Sequence, residues 1–373
     1  MHTVTFFPLG NADSCLIETE SGQALLFDFA DVDDPTDPSD KRIDLPAELG
    51  QWMDRTSRDG FDVVAFTHSD DDHVHGMSSF FHLDHASVYQ GEGRAVIRDL
   101  WMPAAVLTAA PQNEDARVLQ AEARFRLRRG SGIRVFSRPA ALITWLAEQG
   151  ISFANVAHLI TDAGQTVPGW SQADQGVEFF VHSPFAVRDD KGVPVDVNTG
   201  SIVMQADFAI SAVSTKLMLT ADTPWENFAR IIQASESHGN AERLAWDIFK
   251  LSHHCSYKSL GPDKGVEMTI PDPVVARLFE EYADVGGIVV STSKPIPTDD
   301  LDPQPPHRQA ANYYKKVIGS NQFIVTMDHP TRISPEPLKI TIDHLGATVR
   351  KSPVFGGFLA ARQPAPRAGA SDV

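Results

Sequence analysis

The chain is poor in cysteine: 373 residues hold only Cys15 and Cys255. That excludes a disulfide framework and fits a reducing compartment. It is also short of positive charge, with 32 Lys and Arg against 49 Asp and Glu and a net charge of −17. So acidic a balance argues against a broad basic face for duplex DNA. It leaves room for a nucleic-acid substrate held by metal ions and one local basic patch. No apolar run is long enough to span a bilayer. The first residues, Met1 to Phe7, read as a strand and lack the charged head and apolar core of a signal peptide. The expectation is a cytoplasmic protein without a membrane partner. Hydrophobic content of 42% is enough for a sizeable core.

The informative stretch is Thr67-His68-Ser69-Asp70-Asp71-Asp72-His73-Val74-His75-Gly76, directly after the apolar run Asp62 to Phe66. Such a run predicts a buried strand. Crowding so much like charge at its mouth is costly unless a cation neutralises it. The spacing His68-x-Asp70-x-Asp72-His73 alternates imidazole with carboxylate, which suits zinc, manganese or iron better than calcium. His75 reads better as a solvated loop residue than as a ligand.

Further strand ends carry similar chemistry. Asp13, in the turn before the second apolar run, and Asp28, at the end of the third, read equally as turn caps or as residues that orient the metal loop. Asp222 ends Thr215 to Ala221, and His253-His254-Cys255 ends Leu244 to Ser252. A carboxylate placed like Asp222 can bridge two cations. His182, at the end of the run from Gly176, is a weaker candidate ligand, and Cys255 reads as a small buried filler at least as well as a thiolate. Ala116 to Arg129 and Leu142 to Gln149 read as helices. Seven arginines lie between Arg117 and Arg138. Of these Arg124, Arg126, Arg128 and Arg129 are the candidate phosphate-binding group, against the plainer reading of a charged helix face.

The loop resembles the metal-binding motif of the metallo-β-lactamase superfamily, His-x-His-x-Asp-His. With Asp70 in place of the second His, it is most similar to the variant found in DNA-internalisation competence proteins. Leu219-Thr220-Ala221-Asp222 resembles the family's Leu-Thr-Gly-Asp. Leu-Lys-Val-x-His-His-Gly-Ser is matched by Phe249 to Ser256, and Asn-x-x-Ser by Asn198 and Ser201. Pro305-Pro306-His307 resembles its Gly-His-Pro segment. The resemblance implies an αββα sandwich with metals at one edge. It covers most of 1–85 and 170–350, as a single domain over 1–360 interrupted by a helical insertion at 86–166, with a disordered tail at 361–373.

The resemblance also implies a pair of divalent ions, zinc or manganese. His68, Asp70 and Asp222 would hold one, and Asp72, His73, His253 and Asp222 the other. His254 and His307 would act on the leaving group; His253 is favoured as the ligand because it sits nearer the strand end, although sequence does not order the pair. Two cations about 3.5–4 Å apart would activate water. The function implied is a metal-dependent phosphodiesterase or nuclease. The alternatives are a hydrolase of a small ester, lactone or amide, and a metal-binding effector subunit of a bacterial defence or DNA-uptake system.

Overall fold

The computed structural model describes residues 1–185, 187–188, 194–195 and 200–350. Asn198 and the 361–373 tail lie outside them. Two large sheets are formed. The first contains β1 (His2–Phe6), β2 (Cys15–Glu18), β3 (Ala24–Phe27), β4 (Gly60–Ala65), β5 (Ala95–Pro103), β6 (Ile133–Phe136) and β7 (Ile160–Thr161). The second contains β8 (Val177–Ser183), β9 (Val203–Ile210), β10 (Val213–Thr220), β11 (Trp246–Lys250), β12 (Ala283–Ser291) and β13 (Phe323–Val325). The chain then returns to the first sheet with β14 (Leu338–Asp343) and β15 (Gly346–Val349). Strand order is β15-β14-β1-β2-β3-β4-β5-β6-β7 in the first sheet, with the short strand Phe81–His82 beside β5. The second runs β13-β12-β11-β10-β9-β8. β3 to β7 are mutually parallel, as are β10 to β13.

Alternation along the strands sorts the core into layers. Leu25, Phe27, Val63 and Ala65 face the second sheet and join Phe179, Met204, Leu217 and Ile248 in one apolar cluster. Leu26 and Val64, one residue out of phase, pack outward with Leu45, Leu49 and Trp52 of α1 (Leu45–Thr56). On the far side, Met218, Phe249 and Val289 pack outward against helices carrying Phe228, Phe279 and Tyr314. Each central strand is therefore apolar on both faces, which is why it reads as a continuous run. The layers are helix, sheet, sheet, helix: the αββα sandwich expected.

The 86–166 segment carries both expected helices, as Glu114–Arg129 and Ala140–Glu148, but is not helical alone. It supplies β5, β6 and β7 as parallel strands that widen the first sheet. Its main helix, Glu114–Arg129, buries Val118, Leu119, Ala123 and Leu127 in the outer core layer. The helix begins under an Asn113 cap whose side chain accepts from Ala116 N–H. No helix among the described residues is long and apolar enough to cross a membrane.

Candidate metal centre

Parallel strands bring their C-terminal tips to a common rim, and the chemistry collects there. β4 runs into Thr67 and His68. A single helical turn, Asp71–Val74 (α2), then presents Asp72 and His73. Gly76 ends the loop at φ 77°, where a Cβ would stand 2.7 Å from Cβ of Asp31, so only glycine fits. Across the rim, β10 delivers Asp222 and β11 delivers His253 and His254.

Hydrogen bonds to one ring nitrogen leave the other free to point inward. Asp28 is the organiser. Its Oδ1 accepts from Thr67 N–H at 2.7 Å, and its Oδ2 accepts from the Thr67 hydroxyl at 2.7 Å and from His73 Nδ1 at 2.9 Å. With its hydroxyl proton committed to Asp28, Thr67 accepts from His68 Nδ1 at 3.2 Å. His254 Nδ1 donates to the Thr292 carbonyl at 2.7 Å. The three Nε2 atoms therefore point at the carboxylates. His73 Nε2 lies 3.5 Å from Asp222 Oδ1, 3.7 Å from Asp72 Oδ2 and 3.8 Å from Asp13 Oδ2. His254 Nε2 lies 2.9 Å from Asp72 Oδ2 and 3.9 Å from Asp222 Oδ2.

These donors fit a metal. His68 Nε2, His73 Nε2 and Asp222 Oδ1 are all buried without a hydrogen-bond partner, and groups so placed are costly unless a cation takes them up. Two sets close enough to share an ion emerge: Asp13, His73, Asp222 and His254, and His68, Asp72 and His73. Fixing one imidazole nitrogen so that the other can ligate is the usual support of a metal-binding histidine. Replacing Asp28 by Asn should therefore lower metal affinity roughly 10–100-fold with an unchanged circular dichroism spectrum. Chelator competition measures it, and undiminished affinity would deny Asp28 its orienting role.

The cluster's electrostatics follow from burial working against close charge. Burial disfavours charge on His73, but the Asp28 and Asp222 carboxylates outweigh it and hold its pKa well above the ordinary value. His254 is raised against burial by Asp13 and Asp72. Burial would raise Asp72, yet the His254 contact brings its carboxyl down to about 2. Burial also opposes ionisation of Asp222, and His73 overrides it, leaving Asp222 well below the carboxylate range. In the metal-free protein, raised imidazole pKa values stabilise the fold fully below the unfolded value of about 6.5. That contribution is lost as pH rises through the folded values. A cation must displace the same protons. Metal affinity should therefore rise from pH 6 to pH 8 with proton release, measurable by calorimetry in buffers of different ionisation enthalpy. A pH-independent affinity without proton release would contradict this.

The structure reverses the favoured order of the paired histidines. His254 is buried in the cluster, whereas His253 is 37% exposed, its Nε2 3.9 Å from Asp222 Oδ2. The cause is the backbone: His253, His254 and Cys255 take φ of 48°, 53° and 65° in succession. This left-handed run, of order 1–3 kcal/mol per residue, turns the second ring rather than the first into the site. Cys255 is a buried filler whose thiol burial pushes up to about 12. Asp70 stands at the outer edge, 66% exposed, with Oδ2 3.7 Å from His68 Nε2. His75 is exposed beside Asp71. His182 sits elsewhere, its Nε2 against the Arg243 carbonyl at 2.9 Å.

Two expectations fail. His307 has no ring nitrogen to spare for a leaving group: Nδ1 accepts from Tyr257 N–H at 3.4 Å and Nε2 donates to the Pro303 carbonyl at 3.2 Å. It ties two loops together. The arginine group is spent inside the protein. Arg124 donates to the Leu107 carbonyl, Arg128 to Gln149 and Arg129 to Asp84. Arg126 is 2% exposed and paired with Glu122 at 2.6 Å. They lie toward the far end of their helix, roughly 16–24 Å along its axis from Asn113. Only the near end reaches the loop, where Asn113 donates to the Ser69 carbonyl and Asp115 accepts from Gly76 and Ser78 N–H. That segment buttresses the metal loop. The sequence reads Asp13 as a turn cap or as a residue that orients the metal loop, and Lys250, three residues before the paired histidines, as strand packing. The pair faces the centre, and the only signal was Lys250's place in the His253-His254 motif.

Fold and site together define a four-layer αββα sandwich with a candidate metal centre at its strand tips. No family model matches the sequence, and no curated protein matches it. Among solved structures the chain is similar to Zn2+-bound PqqB from Methylobacterium extorquens, at 10% identity over 91% of this chain and 100% of that one, with a TM-score of 0.36. It is similar also to MEM-A1, a subclass B3 metallo-β-lactamase from a soil metagenome library, at 10% identity over 67% of this chain and 76% of that one, TM-score 0.32. A β-lactamase from Chitinophaga pinensis shows 12% identity over 73% and 85%, TM-score 0.30.

Proposed function

We propose that the protein is a metal-dependent hydrolase, with His68, Asp70, Asp72, His73, Asp222 and His254 holding two divalent ions, zinc or manganese. The observation that carries this is the convergence of the His73 and His254 Nε2 atoms, each with its Nδ1 engaged by the protein, on Asp72 and Asp222, with His68 in reach of the same ion as Asp72 and His73. The ions when bound would supply water activation and stabilise developing negative charge. Asp222 suits a bridging role, since Oδ1 faces His73 and Oδ2 faces His253 and His254. His253 stays at the mouth. Burial lowers its pKa, against Asp222, so it is neutral at pH 7 and able to pass a proton to or from a substrate.

A phosphodiester is the substrate class we favour, on the anionic, oxygen-rich donor set and the competence-type motif. With the arginines engaged internally and the net charge at −17, a compact phosphodiester fits better than a long strand. A second reading, hydrolysis of a small ester, lactone or amide, draws on a cavity of about 710 Å³ walled by Arg138, Ile143, Phe153, Asp162, Pro184 and Phe185, which shares no lining residue with the metal cluster. Its size is that of a small-molecule site. Its Pro184 wall packs toward Gly200, and Ile202 N–H donates to the Thr67 carbonyl beside the metal loop.

Purified protein with manganese or zinc should turn over bis(4-nitrophenyl) phosphate faster than single- or double-stranded DNA or RNA. Inactivity on every phosphodiester, with turnover of a nitrophenyl ester, would give the second reading. Metal binding without any turnover would make it a binding or effector subunit.

A further inference from the structure

Lys250 is an anomaly of the core. It is 6% exposed, and lysine is almost never so buried without a partner. Its Nζ donates to Asp13 Oδ2 and, at 2.9 Å, to the Thr220 carbonyl. The residue is pinned further by the Thr220 hydroxyl, which donates to the Lys250 carbonyl at 2.6 Å. It thus bonds to the tip of β10, two residues before Asp222, and to the β1–β2 loop. That loop is tied to the metal turn by Asp13 N–H donating to the Asp72 carbonyl at 3.1 Å. The same Asp13 oxygen that meets the ammonium stands 3.8 Å from His73 Nε2. Asp13 also lines a cavity of about 20 Å³ with Ser14 and Thr292 beneath the centre, room for one water.

We propose that Lys250 is a permanent, protein-supplied cation of this centre: its ammonium holds Asp13 back from the ligand set and keeps the strand tips together in the absence of divalent ions. Four carboxylates, Asp13, Asp28, Asp72 and Asp222, converge here. One fixed positive charge that cannot dissociate lowers their mutual repulsion in the metal-free chain, and it withdraws the carboxylate nearest the sheet interior. Lys250 is a positioning residue, acting through Asp13. The inference rests on reading the cluster as a metal centre and is independent of the reaction catalysed.

The experiment compares thermal melting of the wild type, Lys250→Met, Asp13→Asn and the double variant, each metal-free and with added zinc or manganese. Lys250→Met leaves a buried carboxylate without its counter-charge, so the metal-free melting temperature should fall by roughly 5 °C. Added metal should then raise it by more than in the wild type, because Asp13 becomes available as a ligand. The double variant should recover the metal-free melting temperature and return the metal-induced increment to the wild-type value. Should Lys250→Met fail to fold, a folded, metal-binding double variant still supports the proposal. Equal losses in the single and double variants would overturn it, as mere loss of packing. So would an unchanged metal increment in Lys250→Met. A wild type that binds no metal would remove the metal-centre reading, while the metal-free comparison would still report on the Lys250–Asp13 pairing.

Discussion

Replacing Asp222 by alanine is expected to abolish bound metal and activity while leaving the fold intact. Asp222 directs one oxygen to His73 and the other to His253 and His254, so its loss would weaken both ion positions together. Removing a partner one step outside a metal site already lowers affinity about 10–100-fold, and removal of a bridge should exceed 100-fold. The fold should survive because Asp222 follows β10 rather than packing in a core layer, and because its removal relieves carboxylate repulsion in the metal-free chain. Metal analysis after gel filtration and turnover of bis(4-nitrophenyl) phosphate are the readouts. Asp72→Ala should behave alike. The paired histidines separate the roles: His254→Ala should lose metal, whereas His253→Ala should keep its metal and lose rate. Equal metal loss in both would return His253 to the ligand set. Full metal content in Asp222→Ala would dismiss the bridged centre.

The second large effect lies away from the site. Arg126 and Glu122 are buried together, Nε to Oε1 at 2.6 Å, and Arg126 Nη1 also donates to the carbonyls of Ile97 and Gly132. Glu122 in turn accepts from His85 N–H at 2.9 Å and meets His85 Nδ1 at 2.8 Å. Arg126→Met would remove the cation from buried Glu122, leaving its Oε1 unpaired while Oε2 keeps His85, and would take one donor from each of two carbonyls, which costs about 3–5 kcal/mol. Urea unfolding should show that loss, while turnover per folded molecule stays at the wild-type level. Arg124, Arg128 and Arg129, with partly exposed contacts, should each cost far less. A selective loss of phosphodiester turnover in Arg126→Met, with stability unchanged, would restore the arginines as a substrate patch.

The contrast between these two regions shows what a linear reading can reach. The metal loop is compact in sequence: His68, Asp70, Asp72 and His73 are ordered by one strand end and one helical turn. Residue type and spacing alone therefore expose the chemistry. The central strands were legible for a similar reason, since burial on both faces leaves unbroken apolar runs such as Ala24–Phe27. β6 and β7 were not, because four and two residues carry no usable period, and they join the sheet only by pairing, β6 with β5 and β7 with β6. The arginines between 117 and 138 looked like a patch because their partners are remote in sequence. Asp84 lies 45 residues from Arg129, and Gln149 lies 21 from Arg128.

By itself the sequence determined that carboxylates and imidazoles would gather at strand ends of a layered α/β protein, because alternation and apolar runs are local properties that dictate where strands stop. Tertiary structure decided which of those groups meet. The left-handed turn at 253–255 selects His254. Lys250 claims Asp13 from a strand 237 residues away, and Glu122 claims Arg126 for the core. Such choices depend on which charges find a counter-charge once water is excluded, and burial of that kind is a property of the packed layers rather than of any one stretch of chain.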